Sequence, residues 1–153
     1  MSIWKELYDI FDKERSRFEK KIANKQYVKF EIQKNSTYLA DALQDKIDDK
    51  TIIKNLEHSA FDEAIKNGFN FNSLRTAKIK DKDIIGFDEF EKYIGKDTDY
   101  LVKNAYSKIN SLKKLVLESP DKDFSLKIKS LFRFYVLLVT HIEGRSLVRR
   151  VKK

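Results

Sequence analysis

The sequence predicts a mainly α-helical fold, a single-domain bundle of about five helices over residues 1–153 that ends in a basic tail at 144–153. Apolar residues recur at three- and four-residue spacing through most of the chain, the pattern of helices with one buried face. At 153 residues the chain is long enough to bury one core without covalent staples. Its 41% hydrophobic content lies far from that of a disordered chain, so the 37% of charged positions belong on solvated helix surfaces.

Ser2 is placed to cap a first helix carrying Ile3, Leu7, Ile10, Phe11, Phe18 and Ile22 at helical spacing, with Trp4 and Tyr8 flanking the stripe. Val28, Phe30 and Ile32 then alternate with Lys29, Glu31 and Gln33, which predicts one short strand or hairpin near residues 27–33. Asn35-Ser36-Thr37 forms a cluster of capping residues ahead of Tyr38, Leu39, Ala42, Leu43 and Ile47, a second helix that breaks at Asp48-Asp49-Lys50. A third helix presents Ile52, Ile53, Leu56, Ala60 and Ala64 on one face and stops at Asn67-Gly68, where glycine accepts the left-handed cap conformation. From Phe69 to Gly95 the chain has no long period, and it reads as irregular with a short helix at Asp88 to Ile94.

Asp97-Thr98 caps the next helix, whose Leu101, Ala105, Ile109, Leu112, Leu115 and Val116 fall within roughly a 140° arc at ~100° per residue. Ser119-Pro120 ends it, since proline cannot continue a helix. Asp123 caps the last helix, where Phe124, Ile128, Leu131, Tyr135, Leu138 and Ile142 alternate spacings of four and three to form a seam of the coiled-coil kind. Apolar surface nearly encircles its middle, which places it centrally in the bundle. The seam continues into Arg145 and Arg149, so its apolar face ends at Ile142. Past Gly144, Leu147, Val148 and Val151 fall on the opposite side of a continuous helix; either Gly144 breaks the helix or that face meets something else.

Several function classes are excluded or left without support. There is no cysteine, hence no disulfide framework, thiolate metal site or cysteine nucleophile. The opening residues Met1 to Glu6 lack the basic and apolar regions of a secretory signal, and a cytoplasmic location is expected. The most apolar stretch, Leu131 to Ile142, contains Arg133 and His141 and falls well short of the ~20 residues a bilayer requires, so no membrane partner is expected. No phosphate-binding glycine loop, serine elbow or zinc-protease motif is present, and no cofactor is expected.

Asp81 to Phe90 superficially resembles a calcium-binding EF-hand loop, but both registers fail. Starting at Asp81, the fifth and twelfth positions are Ile85 and Lys92; starting at Lys78, the first three ligand positions are lysines. His58 and Asp62 are four apart on one helix face, a spacing that suits either a surface pair or a carboxylate that orients an imidazole. His141 lies in the apolar belt of the last helix near Arg133, Thr140 and Glu143, either as a satisfied core histidine or as a functional one. The stretch Ser130 to Gly144 resembles a helix of HEPN-type helical proteins, many of which are ribonucleases of toxin or antiphage systems. That family's motif places four to six residues between an arginine and a histidine, whereas seven separate Arg133 from His141, so no catalytic role is carried over.

Charge is unevenly distributed. Residues 1–75 hold 14 Lys/Arg against 13 Asp/Glu, and residues 76–153 hold 18 against 11, so nearly all of the net +8 is C-terminal. Arg145, Arg149, Arg150, Lys152 and Lys153 face no acidic residue after Glu143, and Lys127, Lys129 and Arg133 extend the patch back along the helix. These eight side chains suit phosphate neutralisation, and equally a solvated helix end that complements the macrodipole. The Lys25-Tyr27-Lys29-Phe30 cluster interleaves bases with aromatics, although its aromatics also suit the core. The expectation is a helical binding module for nucleic acid or an acidic protein. Two alternatives are a small nuclease or toxin-like effector using His141, Glu143 and Arg133, and an assembly or adaptor protein that self-associates through Leu147, Val148 and Val151.

Overall fold

A computed structural model of the chain describes residues 17–149, with side chains from residue 23 onward. The expected cap at Ser2 and the apolar positions from Ile3 to Phe11 fall outside the described residues, as do Arg150, Val151, Lys152 and Lys153. The predicted class holds: among the described residues five α-helices gather around one apolar core, with a minimal two-stranded sheet at one side.

Helix α1 runs from Arg17 to Gln44. It absorbs the residues expected to form a strand, 27–33, and this corrects that expectation. Val28 and Ile32, four apart, are buried on one face with Leu39 and Ala42, whereas Phe30 is only half-buried. The alternation over five residues was the accidental overlap of a longer helical repeat through positions 28, 32, 35, 39 and 42 with a period of two. Asn35-Ser36-Thr37, expected to start a helix, lies inside α1, with Asn35 itself buried.

The third predicted helix is two helices, α2 (Asp49–Asn55) and α3 (Ser59–Lys66). Leu56 turns extended between them. The cause lies in α1. The Asn35 amide donates to the Glu57 carbonyl (2.8 Å) and accepts from the Glu57 N–H (2.9 Å), which holds that backbone away from its own helix. Asp48 caps α2 through the Thr51 N–H, and α3 ends as expected, with Gly68 at φ +67.

Three short 3₁₀ turns follow (Phe71–Ser73, Asp81–Asp83 and Asp88–Tyr93), with strand β1 (Ile84–Ile85) between the last two. Helix α4 (Thr98–Glu118) is capped by Asp97, which accepts from the Tyr100 N–H at 2.9 Å, and it stops before Ser119-Pro120. Asp123 accepts from the Ser125 N–H at the start of helix α5 (Ser125–Ile142). All six seam positions of α5 from Phe124 to Ile142 are buried, and the helix packs against α1, α2 and α4, the central place that the seam predicted.

The tail does not continue the helix. Gly144 adopts φ +74, and residues Leu147–Val148 form strand β2, parallel to β1 with Ile84 opposite Leu147 and Ile85 opposite Val148. The Arg149 N–H donates to the Ile85 carbonyl at 2.9 Å. Gly86 admits this approach: a Cβ there would stand 2.8 Å from the Arg149 Cβ, in a backbone conformation of φ +82 that side chains resist. The short strand of this fold therefore joins segments more than 60 positions apart. Among the described residues no helix is long and apolar enough to cross a membrane.

Candidate nucleic-acid interface

The 3₁₀ turn Asp88–Tyr93 packs its apolar side into the bundle. Phe90 and Tyr93 are buried, and Tyr93 meets Phe134 of α5 edge to face at 5.1 Å. This docking leaves a groove of about 540 Å³ between the turn, α4 and the first half of α5. Its floor is aromatic, and Lys92, Lys108, Lys129 and Arg133 line it, with Glu89 as its one carboxylate. A second hollow of about 410 Å³ shares Lys108 and Ser130 with the first and adds Lys127, Asn104, Ser107 and Ser111.

Three of the sequence-predicted basic residues, Lys127, Lys129 and Arg133, therefore lie on one surface, joined by two that sequence reasoning missed, Lys92 and Lys108. Lys108 is the innermost. It is half-buried, its ammonium lies 5.4 Å from the centre of the Phe134 ring, and burial followed by repulsion from Lys92 lowers its pKa. A lysine so placed gains from any anion that enters. A sequence clue existed: at ~100° per residue Lys108 falls between Leu115 and Leu101, inside the apolar arc of α4. Lys92 offered none, because its turn has no period.

The tail arginines go elsewhere. Arg145 pairs with Glu143, and Arg149 lies over the Phe87 ring at 5.0 Å with Glu89 at 3.7 Å. Both arginines remain exposed. Of the residues of the expected association face, Leu147 is half-buried against the core and Val148 is exposed beside Ile85.

His141 is buried, and its Nε2 is 2.8 Å from the Thr98 hydroxyl, which also reaches the Arg75 carbonyl at 2.7 Å. Thr98 has one proton to give; donating it to that carbonyl leaves the hydroxyl to accept from Nε2–H, which selects the tautomer. The Arg75 guanidinium donates in turn to the His141 carbonyl. Burial lowers the histidine's pKa, the nearby Arg75 adds to this, and Asp83 and Asp97 oppose it. Arg133 stands two turns away, about 12 Å along the axis, facing Glu89, and Glu143 is turned to Arg145. The three residues of the nuclease expectation are thus directed to three different places.

Comparison with protein-family models, curated proteins and solved structures finds no match. The resemblance of Ser130 to Gly144 to HEPN-type helices extends to no family match, and the geometry of the chain itself carries the functional reading. His58 and Asp62 do meet, at 2.6 Å, as an exposed pair at the start of α3. In the loop that resembled a calcium site, Asp83 accepts from the Lys80 N–H at 2.8 Å; among the described residues no three His, Asp or Glu side chains are grouped to hold a metal ion.

Proposed function

We propose that this protein is a helical binding module that takes a nucleic-acid strand along the groove between the Asp88–Tyr93 turn, α4 and α5. The observation that carries the reading is the convergence of Lys92, Lys108, Lys127, Lys129 and Arg133, from three separate elements, on two joined hollows that contain a single carboxylate. Cations on one helix end are ordinary. Cations brought together from three segments repel one another, and that cost is recovered when phosphates neutralise them. Ser107, Ser111, Ser130 and Asn104 add hydrogen-bonding groups for phosphate or sugar oxygens.

The test is the salt dependence of binding to a labelled single-stranded oligonucleotide. Engaging four of the five cations gives a slope of log affinity against log salt of about −3. Replacing Lys108 or Lys129 with Ala flattens that slope by roughly 0.7 each. Absence of binding at about 50 mM salt sinks the reading. Capture of an acidic polypeptide in preference to the oligonucleotide reassigns the groove to a protein partner.

A further inference from the structure

Glu89 stands against the charge of its own groove. One of its oxygens, Oε1, lies 3.7 Å from Arg133 Nη1 and 3.7 Å from Arg149 Nη2. Both separations exceed the roughly 2.7–2.9 Å of a charge-assisted hydrogen bond, so the contacts are coulombic and weakly directed, and both guanidiniums are exposed. A guanidinium recognises carboxylate and phosphate through the same donors, so Glu89 and a phosphate compete for Arg133. Elsewhere in the groove, Lys108 approaches the Phe134 ring and Lys92 the Tyr93 ring at 5.3 Å, and among the described residues neither is paired with a carboxylate.

We infer that Glu89 competes with phosphate for the groove's arginine Arg133, so that it acts as a specificity residue favouring strands with several consecutive phosphates over single anions. This rests on the groove reading given above. An incoming monoanion that takes Arg133 only exchanges one carboxylate for another anion and meets the repulsion of the displaced Glu89. A strand that also reaches Lys92, Lys108 and Lys129 collects contacts that Glu89 does not contest. The displaced carboxylate keeps Arg149, which stays seated through its backbone bond to Ile85 and its stacking on Phe87.

The experiment compares Glu89→Gln with Glu91→Gln by fluorescence anisotropy, using a single-stranded oligonucleotide of about ten nucleotides and inorganic phosphate as competitor. Glu91 belongs to the same turn but does not line the groove, so its substitution makes the same change in net charge without touching Arg133. Glu89→Gln is expected to tighten strand binding about tenfold and steepen the salt slope by roughly 0.7, because one more cation meets phosphate. It should also let inorganic phosphate compete at lower concentration. Glu91→Gln should change affinity less than about twofold at physiological salt, where the screening length is ~8 Å. Arg133→Gln should weaken strand binding in the wild type, and in the Glu89→Gln background it should also cancel most of the gain. Glu89→Asp retains the charge but withdraws it from both arginines; it should tighten binding partway and serves if the glutamine variant is poorly folded. Equal gains from Glu89→Gln and Glu91→Gln, or no gain from Glu89→Gln while the wild type binds, overturn the inference and leave the groove reading standing. If neither wild type nor variants bind the strand, the groove reading itself falls.

Discussion

Two polar regions of this molecule use the same kinds of side chain to opposite ends. Inside the bundle, Glu31 of α1 is buried, yet its carboxylate accepts from the Ala60 N–H (2.7 Å), the Phe61 N–H (3.2 Å) and the Tyr106 hydroxyl (2.7 Å). It thereby caps α3 from a neighbouring helix, where the dipole also favours a negative charge. In the groove between the Asp88–Tyr93 turn, α4 and α5, five cations share one carboxylate. A charge whose partners are supplied by the fold specifies the fold, whereas charges of one sign left in excess specify a ligand.

Glu31→Ala gives the sharpest test of the first half of that contrast. It removes the shared acceptor of two backbone donors and a buried phenol, and a loss of about 3–5 kcal/mol is expected. Chemical denaturation measures it, and a loss below about 1 kcal/mol would show that the network is not what joins α3 to α1. In the groove the expectation reverses. Lys108→Ala weakens strand binding while stability holds or rises, because it removes a partly desolvated cation from beside Lys92. A Lys108→Ala protein that melts earlier than wild type places this lysine with the structural charges instead.

His141 belongs to the structural side, and pH tests this. Its native pKa is lowered by burial, with Arg75 adding to the effect, so the folded imidazole stays neutral where the unfolded one takes up a proton, below about 6.5. The unfolded state then binds more protons, and stability falls as pH drops from about 6.5 toward the lowered native value. Asp97, held low by the Tyr100 N–H, acts in the same direction, but only below the ordinary carboxylate range, so the two windows separate. The denaturation midpoint should decline between about pH 7.5 and pH 5, and His141→Gln should flatten that decline. A profile unchanged by the substitution places the titrating group elsewhere.

What could be read from the sequence divides along the same line. The core faces of α4 and α5, the Asp97 cap, the stop at Pro120 and the glycine at the end of α3 were legible because each depends on neighbours within about two turns. The break at Leu56 was hidden because Glu31 and Asn35, which enforce it, lie 20 to 30 positions earlier and look like ordinary polar residues of α1. The pairing of Ile84–Ile85 with Leu147–Val148 was hidden by its separation, although Gly86 marks where the tail arrives. The groove was half legible. Lys127, Lys129 and Arg133 lie within two turns of one helix, whereas Lys92 and Lys108 join them only through tertiary packing.

The smallest predicted effect discriminates best. Tyr106 and Tyr135 are both fully buried beside the Glu31 network, and burial pushes both phenols up, so each keeps its proton. Tyr106 spends that proton on Glu31. The Tyr135 hydroxyl has the Asn35 amide nearby but, among the described residues, makes no well-formed hydrogen bond. Removing the hydroxyl is the same chemical change at both positions, but the energies should differ in sign. Tyr106→Phe leaves a carboxylate oxygen short of a charge-assisted bond and should cost about 1.5–3 kcal/mol. Tyr135→Phe removes an unsatisfied polar atom without opening a cavity larger than one oxygen, and should lie between no change and about 1 kcal/mol of stabilisation. Measured side by side, the pair separates the cost of burying a hydroxyl from the worth of its bond. A Tyr135→Phe loss as large as that of Tyr106→Phe would mean that the second phenol has a partner in solution, and that the Glu31 network extends one residue further into α5.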